Sequence, residues 1–432
     1  MDRIKLKYLT NKPLMYGANE SAVSEDKDKP RFIRITDINE DGSLKDTTFK
    51  SLDLEKAKPY LLKKNDILFA RTGATVGKTY IHSNDELSCF AGYLIKFESD
   101  INKLLPKLLF YYSKTIEYQD WIRENTIQAT IQNVSAEKYK ELKLPIFKMN
   151  EQNIVISFLD RKLSDLNFLI YSKEKQIKLL EEQRQAMITE AITKGLNPNV
   201  KMKDSGVDWI GEIPEHWEVT KIKYTTYVKG RIGWQGLRSD EFIDDGPSLV
   251  TGTDFKNGKI DWQTCYHVSE ERYNEAVPIQ LKEDDLLITK DGTIGKLALV
   301  KEMPERAILN SGIFVTRPLM NQYINSYLYW NLTSAPFSQY IRTMETGSTI
   351  KHLYQETFVN YSYALPPKYE QESISYYLNN ETQKLETIKQ SMLNQISKLK
   401  EYRQSLIHEA VTGKIPIEEM ETYLKEVEKN GG

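Results

Sequence analysis

The chain has 432 residues, and its 59 Lys and Arg against 61 Asp and Glu leave a formal net charge of −2. With 40% hydrophobic and 28% charged residues it is predicted to fold into about two to four domains, and a largely disordered chain is excluded. Two cysteines, Cys89 and Cys265, are too few for a disulfide framework or a cysteine-rich zinc site. The missing basic excess argues at first against nucleic-acid binding. Because no apolar run of about 18 residues occurs, we expect a cytoplasmic protein without membrane contact.

Residues 1–147 are predicted to form a first globular domain of mixed α/β (α+β) type. Runs rich in β-branched and aromatic residues predict its strands, and a run rich in Tyr and Leu predicts one helical stretch at 103–123. The predicted strands lie at 31–35, 66–69 and 93–97.

The segment 72–79 looks like a phosphate-binding loop. Such a loop needs four residues between its glycines so that successive amides can wrap a phosphate, but only three separate Gly73 from Gly77. We therefore expect a tight turn between strands that presents Arg71 and Lys78, and not a site for nucleotide hydrolysis.

Residues 148–203 are predicted to be a long spacer helix. Its apolar residues recur with alternating spacings of four and three, interrupted by Lys173 and Arg184, and Gly195 suits the end of the helix. The seam includes Leu159, Leu166, Ile177 and Leu180.

Residues 204–366 are predicted to form a second α/β domain that repeats the first. The segment 204–217, rich in Gly, Pro and Trp, is expected to pack as an irregular lead-in, and one helical stretch is expected at 321–344. Lys290 and Lys296 flank the counterpart of the first turn. The predicted strands lie at 286–289, 297–300 and 312–316.

Residues 367–432 repeat the spacer and add a C-terminal tail. Gln152 and Gln371 stand near the start of two stretches that align without a gap, each preceded by Leu-Pro. The second seam includes Leu378, Leu385, Ile396 and Leu399. A helix of about 45 residues is about 67 Å long and exceeds the diameter of its own domain. We therefore expect the spacers to form an antiparallel coiled coil with pseudo-twofold symmetry, in which Arg184 and Arg403 pair with glutamates, rather than each spacer packing on its own domain.

Side chains suited to catalysis or metal binding form no recognised pattern. The five histidines lack metal-ligand spacing, and the Asn-Pro-Asn at 197–199 does not match the Asn-Pro-Pro-aromatic element of adenine methyltransferases. No catalytic residue, metal site or bound cofactor is therefore predicted for this chain.

Several duplicated motifs follow one another in the same order in both halves. They are the Leu-Pro elements before Glu-Gln helices, and the Asp-Ile-Leu and Asp-Leu-Leu runs that enter Gly-x-x-x-Gly-Lys and Gly-x-x-Gly-Lys turns. The lead-in at 209–217 and the Arg-Gln-Ser-Leu-Ile-His-Glu-Ala-Val-Thr-Gly-Lys ending at Lys414 add to them. With these motifs the chain resembles, over essentially its whole length, the specificity subunit of type I restriction–modification systems.

The resemblance implies a non-catalytic subunit with two target recognition domains, each of which binds one half of an asymmetric, split site in double-stranded DNA. It also implies that the spacers bind two methyltransferase (modification) subunits and, through them, restriction (translocase) subunits. S-adenosylmethionine, ATP and Mg²⁺ are then expected on those partner subunits.

DNA contact requires cationic, amide, hydroxyl or aromatic side chains on exposed loops. The segment 229–238 combines such side chains with three glycines and is the favoured loop of the second domain, with a surface hairpin around a buried Trp234 as the alternative. Each candidate could equally be a solvated surface residue. The predicted DNA-binding residues are Arg34, Thr36, Arg71, Lys78, Gln128, Gln132, Asn133, Lys229, Arg231, Trp234, Gln235, Arg238, Lys290, Lys296, Thr349, Lys351 and His352.

Two other functions stay open at this point. A self-sufficient DNA methyltransferase or nuclease would act without a partner, and methyl transfer by the purified chain alone would identify it. A coiled-coil scaffold with two protein-binding heads would leave DNA neither retarded nor protected.

Overall fold

The computed structural model describes residues 2–22, 24–126, 133–231, 237, 239–345 and 352–430. The strands are β1 (Arg3–Lys5), β2 (Met15–Tyr16), β3 (Arg31–Ile33), β4 (Ile67–Ala70), β5 (Thr79–Ile81), β6 (Ser88–Phe90), β7 (Leu94–Phe97), β8 (Lys143–Pro145), β9 (Met202–Asp204), β10 (Glu212–Pro214), β11 (Glu218–Lys221), β12 (Thr226–Gly230), β13 (Ile243–Val250), β14 (Phe255–Lys256), β15 (Lys259–Ile260), β16 (Tyr266–His267), β17 (Leu286–Thr289), β18 (Leu297–Leu299), β19 (Ala307–Leu309), β20 (Ile313–Pro318) and β21 (Ser362–Leu365). The α-helices are α1 (Leu54–Ala57), α2 (Pro106–Tyr112), α3 (Ile116–Asn125), α4 (Ala136–Lys140), α5 (Met149–Lys194), α6 (Ile222–Thr225), α7 (Glu270–Asn274), α8 (Asn325–Thr333), α9 (Ala335–Glu345), α10 (Gln355–Val359), α11 (Lys368–Val411) and α12 (Ile417–Asn430).

The chain divides into two compact units. The first consists of Met1–Glu174 and Leu393–Gly432, and the second of Lys175–Met392. Each unit therefore combines one globular region with the first part of the spacer that follows it and the last part of the other spacer. Helices α5 and α11 begin one residue after the predicted boundaries at 148 and 367. The mixed α/β class and the internal duplication are confirmed.

The core of the first unit is built around a four-stranded antiparallel sheet with strand order β2-β7-β4-β5. All four residues of β4 are buried, because both faces of the sheet are covered. Successive side chains of a strand point to opposite faces: Ile67 and Phe69 belong to the cluster that includes helices α2, α3 and α5, whereas Leu68 and Ala70 belong to a second, smaller cluster.

The second unit repeats this arrangement with a larger sheet, in the order β12-β20-β17-β18-β15-β14. Strand β17 is again fully buried: Leu286 and Ile288 contact one core cluster and Leu287 contacts another. A separate three-stranded sheet has the order β16-β13-β19. The equivalent strands β4 and β17 thus form the centre of the core in the two units.

Each helical stretch that we predicted as one piece is divided in two. Between α2 and α3 the chain turns at Ser113, and the Thr115 hydroxyl caps α3 by accepting a hydrogen bond from the Tyr118 amide at 3.1 Å. Between α8 and α9 the Ser334 hydroxyl donates to the Asn331 carbonyl. Serine and threonine compete with helix continuation in this way, and the apolar pattern alone did not reveal it.

Within each unit the parts of α5 and α11 run antiparallel. In the first unit Lys173 Nζ lies 2.6 Å from Gln395 Oε1, and Arg403 Nη1 donates to Asn167 Oδ1 at 2.8 Å. In the second, Lys389 Nζ lies 2.9 Å from a Glu181 carboxylate oxygen. The antiparallel pairing is confirmed. The prediction that Arg403 pairs with a glutamate was wrong, because Arg403 donates its hydrogen bond to the side-chain oxygen of Asn167. Of the seam residues, Leu159, Leu166, Leu378 and Ile396 are buried, and Ile177, Leu180, Leu385 and Leu399 are half-buried.

Two equivalent glutamines attach the start of each spacer to its globular region. Gln152 is fully buried, accepts a hydrogen bond from the Leu105 amide at 2.8 Å, and donates to the carbonyls of Lys103 and Phe147 at 2.9 and 3.0 Å. Its side chain therefore satisfies three backbone groups at once, and a buried backbone group without a partner is costly.

Gln371 makes the same three kinds of contact in the second unit. It accepts from the Ile324 amide at 3.0 Å and donates to the carbonyls of Gln322 and Pro366 at 3.2 and 2.8 Å. The Glu-Gln motif that marks the repeat thus has a structural role in both copies.

A second pair of glutamines attaches the last part of each spacer. Gln185 of α5 donates to the Thr333 carbonyl at 3.1 Å, and Gln404 of α11 donates to the Lys114 carbonyl. Each globular region is therefore bonded to both spacers, which explains why the compact units include parts of both.

The lead-in of the second unit packs as expected, but part of it is regular, because β9 and β10 form an antiparallel hairpin. Trp217 is fully buried and its Nε1 donates to Glu370 at 3.0 Å, and Trp209 Nε1 donates to the Ser362 carbonyl at 3.1 Å. None of the described helices combines the length with the apolar composition that a membrane span requires.

Candidate DNA-binding surface

Arg71 in the first unit and Lys290 in the second occupy equivalent positions, and their backbone groups make equivalent hydrogen bonds. Each follows the central buried strand, and its amide donates to the opposite chain, to the Tyr93 carbonyl at 3.0 Å and to the Gly312 carbonyl at 2.8 Å. Their carbonyls accept hydrogen bonds from the amides of Val134 and Leu353, at 2.9 and 2.7 Å. We call these residues, with the turns that follow them, the two strand–turn frames.

The turn that follows each frame residue joins two antiparallel strands. Gly73 and Gly77 have φ angles of 71° and 85°, and Gly292 and Gly295 have 70° and 81°. These values lie in the left-handed region that glycine adopts without strain. The predicted tight turn is confirmed, and the strand that follows takes the place of the helix that a phosphate-binding loop needs.

Aromatic and amide groups hold the Arg71 side chain. Its guanidinium lies 4.6 Å from the centre of the Tyr16 ring, and its Nε donates to Asn133 Oδ1 at 3.3 Å. The Tyr16 hydroxyl accepts a hydrogen bond from the Ala136 amide at 2.9 Å. Two predicted residues, Arg71 and Asn133, therefore lie together, and Tyr16 joins them although the sequence had not singled it out.

The corresponding position of the second unit carries a lysine. Lys290 Nζ lies 5.4 Å from the centre of the Phe314 ring. His352 bonds to the side chain of Asp291 and contacts the Tyr354 ring, with centroids 4.7 Å apart. Lys290 and His352 thus lie near one another, as Arg71 and Asn133 do.

The lysines that end the two turns differ in their partners. Lys78 lies 2.6 Å from Glu40, whereas Lys296 is exposed and forms no ion pair with any residue that the structure describes. Beside Lys78, a cavity of about 620 Å³ is lined by Lys114, Gln119 and Arg123 among others.

Lys114 is a cation that the sequence had not singled out. Its Nζ donates to the Glu40 carbonyl at 3.0 Å and lies 4.8 Å from the centre of the Phe110 ring. Burial lowers the pKa of Lys114 to about 8, because desolvation disfavours the ammonium. Nothing in its surroundings along the chain distinguishes it from a solvated lysine, so only the packing identifies it.

Two predicted arginines have structural partners. The Arg34 guanidinium bonds to both carboxylate oxygens of buried Asp37, at 3.0 and 2.8 Å, and Nη2 donates to the Thr48 carbonyl at 2.6 Å. Arg231 is 4% exposed, and its Nε donates to the Leu309 carbonyl at 3.0 Å. These side chains pack in the fold here, and their contact with DNA stays a prediction.

The other candidates fall into two groups. Thr36 and Lys229 are exposed. Seven lie outside the described residues: Gln128, Gln132, Trp234, Gln235, Arg238, Thr349 and Lys351. Among the described residues no group of His, Cys, Asp and Glu is arranged to hold a metal ion.

Together, the duplicated α/β units and their matching strand–turn frames define a protein with two equivalent recognition units. The type I restriction modification DNA specificity domain matches residues 14–179 and again residues 232–398. The chain belongs to this family, and it is a DNA specificity subunit rather than an enzyme.

Relatives and solved structures agree with the family. The MjaVIII specificity subunit of the type I restriction enzyme of Methanocaldococcus jannaschii is 26% identical over 324 residues, 74% of this chain and 72% of that one. The putative MjaX specificity subunit of the same organism is 25% identical over 343 residues, 78% of this chain and 75% of that one.

Two structural likenesses support the fold. A chain from a study of complex assembly and conformational transition of the type I R-M system has a TM-score of 0.74 at 14% identity, covering 96% of this chain and 98% of that one. The HsdS subunit from Thermoanaerobacter tengcongensis has a TM-score of 0.53 at 14% identity, covering 96% of this chain and 97% of that one.

Proposed function

We propose that each unit binds one half of a split, asymmetric DNA site and that the strand–turn frames contact its phosphates. The observation that carries the proposal is the match of the specificity domain to both halves of the chain. Two recognition domains on one chain suit a two-part target, and their different sequences suit half-sites that differ.

The repeat itself helps to sort the candidate residues. Arg71 and Lys290 have the same charge on the same framework, and so do Lys78 and Lys296 at the ends of the turns. Positions with the same chemistry in both units cannot distinguish two different half-sites, but they suit the phosphates that every site shares. We therefore assign these four cations to the DNA backbone, and base recognition to positions where the units differ, such as 229–238.

Arg71→Gln and Lys290→Gln are each expected to weaken binding to all DNA sequences and to lower the salt dependence. Loss of one phosphate contact reduces the slope of log K against log salt by about 0.9. Lys223→Gln is the matched control, since Lys223 is exposed outside the frames and bonds to Asn360 at 3.1 Å. Fluorescence anisotropy at several salt concentrations measures both slopes. An unchanged slope, or a loss confined to one base of the site, would contradict the assignment.

We also propose that the spacers bind two modification subunits and, through them, restriction (translocase) subunits, in a cytoplasmic complex. S-adenosylmethionine, ATP and Mg²⁺ are then bound by those partners. In this case the purified chain alone transfers no methyl group from labelled S-adenosylmethionine to DNA, whereas the chain with its modification subunits does. Methyl transfer by the chain alone would instead support a self-sufficient enzyme, and a complex that neither retards nor protects DNA would support a scaffold.

A further inference from the structure

Asn133 of the first unit and His352 of the second occupy equivalent places in the strand–turn frames. Asn133 pairs with Thr72 through an isolated antiparallel backbone bridge, and His352 pairs with Asp291 in the same way. In each unit the amide that follows bonds to the carbonyl of the frame cation. The two side chains therefore lie beside a cation whose charge the units share, but they differ from each other in chemistry.

The orientation of Asn133 is fixed by a short series of contacts. The Tyr16 hydroxyl accepts from the Ala136 amide at 2.9 Å, which holds the ring. The Arg71 guanidinium lies 4.6 Å from the centre of that ring, and Arg71 Nε donates to Asn133 Oδ1 at 3.3 Å. Since a guanidinium donates and does not accept, the oxygen of the side-chain amide faces Arg71. The Nδ2 donors and the second lone pair of Oδ1 are then left for a ligand.

A side-chain amide that presents a donor next to an acceptor matches adenine. In the major groove adenine offers its N7 acceptor and its N6 amino group, and one asparagine can bond to both. Asn133 is half-buried, so part of its side chain reaches the surface while its orientation is held from within the frame. Because it carries no charge, Asn133 does not neutralise a phosphate, and its contact with DNA leaves the salt dependence of binding unchanged.

In the second unit a carboxylate replaces the arginine as the orienting group. His352 Nδ1 bonds to the Asp291 side chain, and the imidazole meets the Tyr354 ring edge-on, with centroids 4.7 Å apart. An ionised carboxylate only accepts, so Nδ1 donates and Nε2 is the ring nitrogen left for DNA. His352 can therefore form one hydrogen bond to a base, where Asn133 can form two.

We propose that Asn133 and His352 each recognise one base pair by its major-groove edge, and that the base bound by Asn133 is an adenine. Arg71 acts as the positioning residue in the first unit, and Asp291 does so in the second. The inference rests on the proposed function, since it takes for granted that each unit binds one half-site. It assigns one difference between the half-sites to a single equivalent place in the two frames.

Asn133→Ala tests the first unit in the complex of the full chain with its modification subunits. Loss of the two bonds to adenine should lower the discrimination at one A·T pair of the first half-site by about tenfold or more, with the other pairs and the salt slope unchanged. Asn102→Ala is the matched control, because Asn102 is an exposed asparagine of the same unit outside the frame, and it should keep the discrimination at every pair. Mapping of methylated sites defines the half-sites, and fluorescence anisotropy with duplexes changed at one pair at a time measures the discrimination.

Arg71→Lys separates the two roles of Arg71. A lysine keeps the charge for a phosphate but has no Nε to hold Asn133. The salt slope should therefore stay as in the wild type, whereas the discrimination at the same A·T pair falls. Should Asn133→Ala lower the yield of folded chain, Asn133→Ser is expected to give the same loss at that pair.

Asp291→Ala tests the positioning of His352. Removal of a negative charge should raise the affinity for all DNA sequences, while the loss of orientation lowers the discrimination at one pair of the second half-site. His352→Ala should relax the same pair by about three- to tenfold, as expected for one hydrogen bond. Asp291→Asn should restore the discrimination, because its side-chain oxygen still accepts from Nδ1. A merely structural role of Asp291 would not predict that affinity rises while one pair is relaxed.

Three outcomes would overturn the inference while the proposed DNA function stands. Asn133→Ala keeps the discrimination at every pair, or relaxes a pair that is not A·T, or weakens all sequences with a lower salt slope. In the second unit, the inference fails if Asp291→Ala and His352→Ala relax no common pair. A wild-type complex that methylates no split site would overturn the proposed function and the inference together.

Discussion

Lys114 and Arg34 show how neighbouring groups decide the role of a cation. Arg34 is neutralised by the carboxylate of buried Asp37, so its charge is used within the fold. The Lys114 ammonium donates to the Glu40 carbonyl, lies over the Phe110 ring and is largely desolvated. An ammonium held in this way gains more from an incoming phosphate than a hydrated surface lysine does. We therefore expect Lys114 to respond to an anion in the cavity beside Lys78.

DNA binding is expected to depend on the titration of Lys114. Its pKa of about 8 in the free chain lies below the ordinary lysine value, and a phosphate in the cavity would favour the charged form. Below pH 8 the lysine is already charged, so affinity is highest there; as the pH rises through 8, binding must take up a proton and affinity falls. Lys114→Gln should lower affinity at pH 7 and flatten this fall, measured by anisotropy between about pH 7 and 9.5.

Lys107→Gln serves as the control for this profile, because Lys107 belongs to the same helix region but pairs with Asp160 at 2.7 Å. If Lys114→Gln keeps the pH profile of the wild type, the cavity does not hold a phosphate.

At the scale of the elements, four glutamines connect the spacer helices to the globular regions. Gln152 and Gln371 bond to backbone groups near the start of their own spacer. Gln185 bonds to the last residue of α8, and Gln404 bonds to the Lys114 carbonyl just after α2. A heptad pattern requires only apolar residues at the seam, so these glutamines serve another purpose. They hold each globular region on both helices at once.

Gln152→Met is expected to lower the free energy of unfolding of the first unit by about 2–4 kcal/mol. The substitution keeps the volume but leaves the Leu105 amide and two carbonyls without their side-chain partner, and each unsatisfied buried group costs about 1–3 kcal/mol. Asn153→Ala is the neighbouring control, since Asn153 is exposed and its side chain donates to the Met149 carbonyl of its own helix. Urea denaturation followed by circular dichroism measures the difference, and equal stabilities of the two variants would show that the buried bonds contribute little.

For the whole molecule, the near-zero net charge does not argue against DNA binding, as it first seemed to do from the sequence. Residues 1–150 carry 25 basic and 21 acidic side chains, and residues 205–366 carry 16 and 21. Neither region has a large basic excess, so the cations available to DNA are local ones such as Arg71 and Lys290. Affinity for DNA rises with the number of phosphates neutralised. The chain alone should therefore bind DNA weakly, and partner subunits should add much of the contact.

Insertion of one heptad into both spacers, by repeating 168–174 and 386–392, is expected to lengthen the unread gap of the DNA site by roughly three base pairs. Seven residues add about 10 Å to a helix, and a base pair occupies about 3.4 Å. Mapping of methylated sites in cells that contain the modification subunits measures the gap. Insertion into α5 alone serves as the control, because it breaks the seam and should abolish methylation; an unchanged gap after the double insertion would show that the spacers do not set it.

The duplication, the α/β class and the two strand–turn frames could be predicted from the sequence, because they rest on local signals. Apolar runs, heptads and glycine spacing are read within a few residues. Arg71, Lys78, Lys290 and Lys296 were chosen as candidates for this reason, since each stands beside a turn that glycines define, and their contact with DNA stays a prediction. The residues 103–123 were predicted as one helix because their apolar content does not show the break at Ser113.

Only the tertiary structure decided which side chains are buried and which partners they have. Arg231 and Lys229 look alike in the sequence, yet one is buried and the other exposed. Gln152 and Gln404 are distant in sequence but bond to the same globular region. Burial and long-range hydrogen bonds depend on residues that lie far apart along the chain and meet only in the fold. A local sequence pattern does not show which of these residues meet.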